Sequence, residues 1–101
     1  MALDCASVLG SEGLVARRLK RHELRPQQLE MGAAVARAFE RGEHLLVEAG
    51  TGVGKSFAYL IPAIERVTEH GRRVVISTHT IALQKQLVEK DVPFFASVLP
   101  V

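Results

Sequence analysis

The sequence HLLVEAGTGVGKS at residues 44–56 decides how this chain folds. It opens with a short apolar run, residues 44–48, that turn-forming residues follow at once, which is typical of a strand buried on both faces. Glycine then occupies three of the five positions in residues 50–54. Such a loop lets the backbone turn its N–H groups toward an anion. The stretch therefore predicts a strand, a glycine-rich loop and a helix, in that order.

The loop fits the phosphate-binding pattern G-x-x-x-x-G-K-[ST], except that Ala49 replaces the first glycine. Its N–H groups and the positive end of the following helix together favour phosphate over an incidental glycine-rich turn. Lys55 would reach the β- and γ-phosphates of a nucleotide, and the Ser56 hydroxyl would ligate Mg²⁺. We predict Lys55 as the catalytic residue. The predicted nucleotide-binding residues of the loop are Ala49, Gly50, Thr51, Gly52, Val53, Gly54, Lys55 and Ser56.

Helical periodicity flanks the loop on both sides. In residues 27–41 the apolar side chains recur on one face, and Pro26 suits the first turn of that helix. A second helix is predicted over residues 55–68, with a bend or early break at Pro62, because proline removes a helical hydrogen bond. A third is predicted over about residues 80–90 and should end at Pro93.

A second strand is predicted at residues 73–77, where β-branched residues are frequent. A strand, a helix and a strand of this length imply a right-handed parallel crossover. The predicted fold class is therefore α/β.

The length and composition of the chain limit the kinds of protein that it can be. A chain of 101 residues, 48% apolar and 24% charged, fits one small globular domain or a piece of a larger one. It has no apolar run of about 20 residues that could cross a bilayer and no secretory signal, so we predict a cytoplasmic location and no membrane partner. Cys5 is its single cysteine and cannot form an internal disulfide or a metal cage. The net charge of +2 is too small to argue nucleic-acid binding by itself.

The first 25 residues carry weaker signals. A short helix is predicted near residues 11–19, with Ser11 as its cap. Residues 17–25 hold five basic side chains against one acid. They can be interpreted as a phosphate-contacting patch or as a solvated surface, and we favour the solvated surface because short basic clusters are common there.

Three stretches, in the right order and spacing, resemble the XPD/DinG branch of superfamily 2 DNA helicases. Residues 24–31, LRPQQLEM, look like the Q-motif region. Residues 47–56 are similar to motif I, in which that branch commonly has alanine at the position of Ala49. Residues 74–87, VVISTHTIALQKQL, look like motif Ia. The resemblance runs from about residue 9 to residue 93 and implies the N-terminal part of a RecA-like P-loop NTPase motor domain, with parallel strands and crossover helices.

The resemblance implies a role for several further residues. Gln28 would recognise adenine, since a carboxamide offers a donor and an acceptor that suit the N6/N7 edge. Arg25 would support the same region. Thr78, Thr80 and Gln84 would contact single-stranded DNA, because hydroxyl and amide groups suit phosphate oxygens. The alternative for either threonine is a helix cap, and both roles can coexist.

We accordingly expect the chain to be the ATP-binding portion of an ATP-dependent 5′-to-3′ DNA helicase that acts in repair or replication. Its ligands would be ATP, Mg²⁺ and single-stranded DNA. Residues 1–23 would form a helical lead-in and residues 24–101 an incomplete ATP-binding domain that stops after motif Ia. Relatives of this kind need a Walker-B acidic motif, an arginine finger and a second motor domain, and many carry a four-cysteine iron–sulfur cluster. We expect such a cluster, if present, downstream of these residues, since Cys5 lies upstream of the Q motif.

Two other functions stay open from the sequence. One is a P-loop NTPase of another class, such as a nucleotide kinase or a switch ATPase. The other is a non-catalytic nucleotide- or DNA-binding module. We also expect the isolated 101-residue chain to hydrolyse ATP no faster than background, because no acidic residue is placed to hold Mg²⁺ and polarise water. We expect the same chain to be poorly folded or aggregated, because two strands form a marginal sheet.

Overall fold

The structure, a computed structural model, describes residues 8–9, 26–50 and 54–98. Its regular elements in the two longer ranges are helical. They are α1 (Pro26–Arg41), α2 (Lys55–Thr68), α3 (Ile81–Gln86), a π-helical turn (Leu87–Asp91) and α4 (Val92–Val98). The first two predicted helices are confirmed to within one residue. The short helix predicted near residues 11–19 lies outside the described residues.

Helix α1 packs mainly against α2. Pro26 is its first residue, as expected of a side chain that lacks the N–H a helix start cannot use. It ends at Gly42, whose φ of 64° is left-handed. The N–H of Glu43 then donates to the Ala38 carbonyl at 3.0 Å, which is the closing bond of a glycine-dependent C-cap.

Helix α2 continues through Pro62 to Thr68, so the early break predicted there is wrong. The residues around the proline are the most buried of the helix: Ala58, Leu60, Ile61, Pro62 and Ala63. In proteins most helical stability comes from packing of the apolar face rather than from propensity. Burial on this scale therefore offsets the hydrogen bond that the proline removes.

The end predicted for the third helix at Pro93 is also wrong, because the chain stays helical to Val98. A π turn at Leu87–Asp91 lies between α3 and α4. In an α-helix the ring of Pro93 would clash with the carbonyl four residues earlier, on Glu89. That residue lies in the wider π turn, which gives a physical reason for the change of helix type at this point.

The core joins α2 to the C-terminal helices. Leu60, Ile61, Leu87 and Phe95 are buried there together with the helical residues Val8 and Leu9. Two phenylalanines pack against this cluster around Phe95: the rings of Phe57 and Phe95 meet edge to face at 4.8 Å, and Phe94 stacks on Phe57 at 5.8 Å. Such aromatic geometry stabilises beyond the area it buries. The ordered centre of the described chain is therefore helical.

The two strands predicted at residues 44–48 and 73–77 are not formed, and the described ranges contain no β-strand. The first segment borders a cleft with Met31 and Ala34 of α1, whereas the second borders one with Val35 of α1 and Ala63 of α2. They thus lie along different parts of the helical layer and do not pair. Since a strand satisfies its backbone only through a neighbouring strand, neither becomes regular. The predicted parallel sheet is therefore not seen.

Among the described residues, no helix has the length and apolar character that crossing a membrane requires.

Candidate functional site

The glycine-rich loop meets α2 at Gly54. This residue has a φ of 82° and ψ of 49°, a left-handed conformation that glycine adopts without strain. No side chain caps the helix that it starts. The N–H groups of the first turn of α2 therefore stand at the loop, where an anion can accept from them. Thr51, Gly52 and Val53, which were predicted to bind nucleotide, lie outside the described residues.

The side chain of Lys55 folds back over its own loop. Its Nζ donates to the Ala49 carbonyl at 2.9 Å, and the side chain is exposed. The contact joins the two ends of the loop that residues 49–54 form. A carbonyl is a weaker partner for an ammonium group than an ionised oxygen is. The position of Lys55 thus lets its Nζ exchange the Ala49 carbonyl for a phosphate oxygen.

Ser56 follows in the first turn of α2 and is half-buried. Its hydroxyl oxygen is the type of ligand that Mg²⁺ prefers. In the described ranges no three His, Cys, Asp or Glu side chains are grouped to hold a metal ion. The Ser56 hydroxyl would suit a magnesium ion held chiefly by substrate phosphates and water, and its role as a metal ligand stays a prediction. The single cysteine of the sequence cannot supply an iron–sulfur cluster.

Gln28 is buried at the contact between α1 and the start of α2 rather than exposed on the surface of α1. Its side chain is only 3% exposed. Its Nε2 donates to the Gly54 carbonyl at 3.0 Å, a contact across 26 residues of sequence. The structure therefore brings the predicted adenine-reading residue to the phosphate loop. Arg25, which was predicted to support it, lies outside the described residues.

The residues predicted to contact DNA gather at the start of α3. The Oγ1 of Thr80 accepts from the Leu83 N–H at 3.1 Å, so Thr80 is the N-cap. The Oγ1 of Thr78 donates to the Thr80 carbonyl at 3.0 Å. Gln84 lies one turn further on, and its side chain is exposed like that of Thr80. The cap role foreseen for Thr80 is confirmed, whereas DNA contact stays a prediction.

One polar cluster was missed by the sequence analysis. Asp91 is 7% exposed and accepts from the Gln86 Nε2 at 3.2 Å. Burial raises the pKa of Tyr59, and the negative charge of Asp91 raises it further. The spacing of five between Gln86 and Asp91 does not place side chains together on an α-helix, and only the π turn does so. No signal in the sequence pointed to that turn.

Comparison with known proteins gives matches that cover most of the chain. A family profile described as DEAD/DEAH box helicase matches residues 25–99. The ATP-dependent helicase DinG of Mycobacterium tuberculosis is 65% identical over 66 residues, which are 65% of this chain and 10% of the relative. No solved structure matches the chain.

Two enterobacterial relatives align over longer stretches. The ATP-dependent DNA helicase DinG of Salmonella typhimurium is 46% identical over 78 residues, 75% of this chain and 11% of the relative. The ATP-dependent DNA helicase YoaA of Escherichia coli is 41% identical over 88 residues, 87% of this chain and 13% of the relative. The chain thus spans about a tenth of the length of the curated relatives it matches.

Proposed function

Because the chain belongs to the DEAD/DEAH box helicase family, we propose that it forms the ATP-binding part of an ATP-dependent DNA helicase. The resemblance to DinG-type helicases drawn from three motifs is confirmed by the relatives. The observation that carries the proposal is the position of Lys55, whose Nζ spans the glycine-rich loop to reach the Ala49 carbonyl 2.9 Å away. A cation held there stands where the phosphates of a nucleotide would enter.

Three groups of this chain would act on the nucleotide. The first-turn N–H groups of α2 donate to phosphate oxygens, and Lys55 neutralises charge on the β- and γ-phosphates. Ser56 would hold Mg²⁺ through its hydroxyl oxygen, and the ion would supply positive charge that offsets the charge of the phosphates.

A second set of residues would bind single-stranded DNA. Thr78, Thr80 and Gln84 present hydroxyl and amide groups around the N-terminus of α3, which suits backbone phosphates and carries no sequence information. We propose 5′-to-3′ movement and a role in repair or replication from the resemblance to the XPD/DinG branch. A cytoplasmic location follows from the two ligands, ATP and DNA, that the activity requires.

The direct test is ATP turnover and duplex unwinding by the intact protein, expressed from its complete reading frame. Lys55→Ala should reduce both to background and leave single-stranded DNA binding largely intact, because Lys55 would contact the nucleotide whereas Thr80 and Gln84, the proposed DNA contacts, lie in another part of the chain. Lys90→Ala, which removes an exposed lysine distant in sequence from the loop, is the matched control and should leave both unchanged. Turnover by the wild-type protein that ignores DNA would favour another class of P-loop NTPase and contradict the proposal.

A further inference from the structure

We infer that Gln28 is a positioning residue for the phosphate loop, because its side-chain amide holds the Gly54 carbonyl and thereby orients the first turn of α2. This role differs from reading adenine, since it would serve any ligand that carries phosphates. The inference rests on the proposed function for its importance to nucleotide binding.

The contact is a buried hydrogen bond between α1 and the start of α2. Gln28 is 3% exposed and belongs to α1, whose main packing partner is α2. The Gly54 carbonyl accepts two hydrogen bonds, one from Gln28 Nε2 at 3.0 Å and one from the Ala58 N–H at 3.2 Å. A carbonyl oxygen has two lone pairs, so both are used. The buried amide thus ties α1 to the junction between loop and helix.

The peptide bond explains why this carbonyl matters. The Gly54 carbonyl and the Lys55 N–H belong to the same planar trans peptide and point in opposite directions. Holding the oxygen toward α1 therefore fixes the direction of that N–H toward the loop. Gly54, with its φ of 82°, has more conformational freedom than any other residue type would have there. A side-chain bond at this point restrains the donor that a phosphate would meet.

The hydrogen bond from Gln28 to Gly54 also limits how Gln28 could contact adenine. One of its two N–H groups is used by Gly54, and the side chain is almost wholly covered. Loss of the amide should therefore weaken the binding of phosphates with and without a base attached. A residue that only reads adenine would weaken the binding of adenine nucleotides alone.

Two variants distinguish the loss of the hydrogen bond between Gln28 and Gly54 from a loss of folding. Gln28→Met keeps the length of the side chain and removes both hydrogen-bonding groups, whereas Gln28→Glu keeps the shape and, when ionised, loses the donor. Gln27→Met is the matched control, since Gln27 is the exposed neighbour on the same helix. The variants are made in the intact protein, and circular dichroism checks that each one is folded. If Gln28→Met does not fold, Gln28→Glu supplies the answer.

The first readout needs no nucleotide. Hydrogen exchange at the Ala58 amide, which donates to the same carbonyl, should quicken about threefold to tenfold in Gln28→Met and Gln28→Glu, the range expected for the loss of one hydrogen bond. Gln27→Met should exchange at the wild-type rate. Unchanged exchange in both Gln28 variants would overturn the inference whatever the protein binds.

The second readout compares affinity for ATP with affinity for inorganic tripolyphosphate, which has no base. Both affinities should fall by the same factor, about threefold to tenfold, in the Gln28 variants. A lower affinity for ATP with an unchanged affinity for tripolyphosphate would overturn the positioning role and leave Gln28 as an adenine contact. If the wild-type protein binds neither ligand, the proposed function fails, and the exchange experiment still decides whether Gln28 holds the loop.

Discussion

The helical layer and two apolar segments differ in burial although their side chains are similar. The segments are residues 44–48 and 73–77. Leu60, Ile61 and Phe95 are at most 2% exposed in the helical layer, whereas Leu46 is 100% exposed and Val75 is 92% exposed. A helix satisfies its backbone within one segment and needs only one face covered. A strand needs a neighbouring strand to satisfy its backbone, and a strand of a parallel sheet also needs cover on both faces. Apolar composition alone therefore does not order a segment.

The largest effect is expected from a substitution in the helical core. Phe95→Ala removes a fully buried ring that meets Phe57 edge to face. Hydrogen exchange of α2 in the intact protein should show its free energy of opening falling by about 3–5 kcal/mol. Val92→Ala, at a half-exposed position on the same helix, should cost far less. Equal effects of the two substitutions would show that α4 does not form this core.

The second prediction is that the exposed apolar segments cause self-association. The isolated 101-residue chain should self-associate, because covering an apolar side chain of this size stabilises by about 2 kcal/mol. Leu46→Lys combined with Val75→Lys should shift the chain toward monomer in sedimentation velocity. Val67→Lys, at a half-exposed position on α2, should not. A monomeric wild-type chain with one sharp thermal transition would contradict the expectation and favour a self-standing module.

A smaller effect is expected where the second segment meets α3. Thr80→Ala removes the cap that accepts from the Leu83 N–H and should lower the stability of that helix by about 1 kcal/mol. Exchange of the Leu83 amide measures this, and Thr80→Ser should restore protection because the hydroxyl is kept. If single-stranded DNA binding falls in Thr80→Ala and returns with Thr80→Ser, the hydroxyl matters for both. A loss of DNA binding in Thr80→Ser as well would separate the two roles.

The smallest effect concerns pH. Burial, and then the charge of Asp91, raise the pKa of Tyr59 above its ordinary value of 10.0. The protonated phenol is therefore favoured by the folded state, and its contribution is fully present below pH 10 and is lost as pH rises through the raised pKa. Tyr59→Phe should lessen the loss of stability in alkaline solution, measured by thermal unfolding between about pH 9 and 11. An unchanged alkaline profile would show that Tyr59 does not sense this environment.

The sequence predicted what depends on local pattern. The periodicity of residues 27–41 and 55–68 predicted α1 and α2, which the structure confirms. The glycine spacing with Lys55 predicted phosphate binding, which stays a prediction, and the structure shows Lys55 bonded to the Ala49 carbonyl. These features follow from interactions between near neighbours in the chain. The same reasoning gave Thr80 as a helix cap, which the hydrogen bond to Leu83 confirms.

The features that the sequence pattern did not predict depend on contacts between residues that are distant in sequence, or on a change of helix type. Residues 44–48 and 73–77 have the composition of strands, but without neighbouring strands they stay irregular. Pro62 was expected to bend or break its helix and Pro93 to end one, and packing and a π turn accommodate them. The contact between Gln28 and Gly54 spans 26 residues. No local rule places a buried amide against that carbonyl.

A structure of the intact protein with bound Mg²⁺ and an ATP analogue would show whether the loop before α2 binds the phosphates of a nucleotide. We expect the phosphates within hydrogen-bonding distance of Lys55 Nζ and of the Lys55 and Ser56 N–H groups. The bond from Lys55 to the Ala49 carbonyl should then be broken, and that from Gln28 to the Gly54 carbonyl kept. Phosphates bound away from this loop, with Lys55 still on Ala49, would contradict the account.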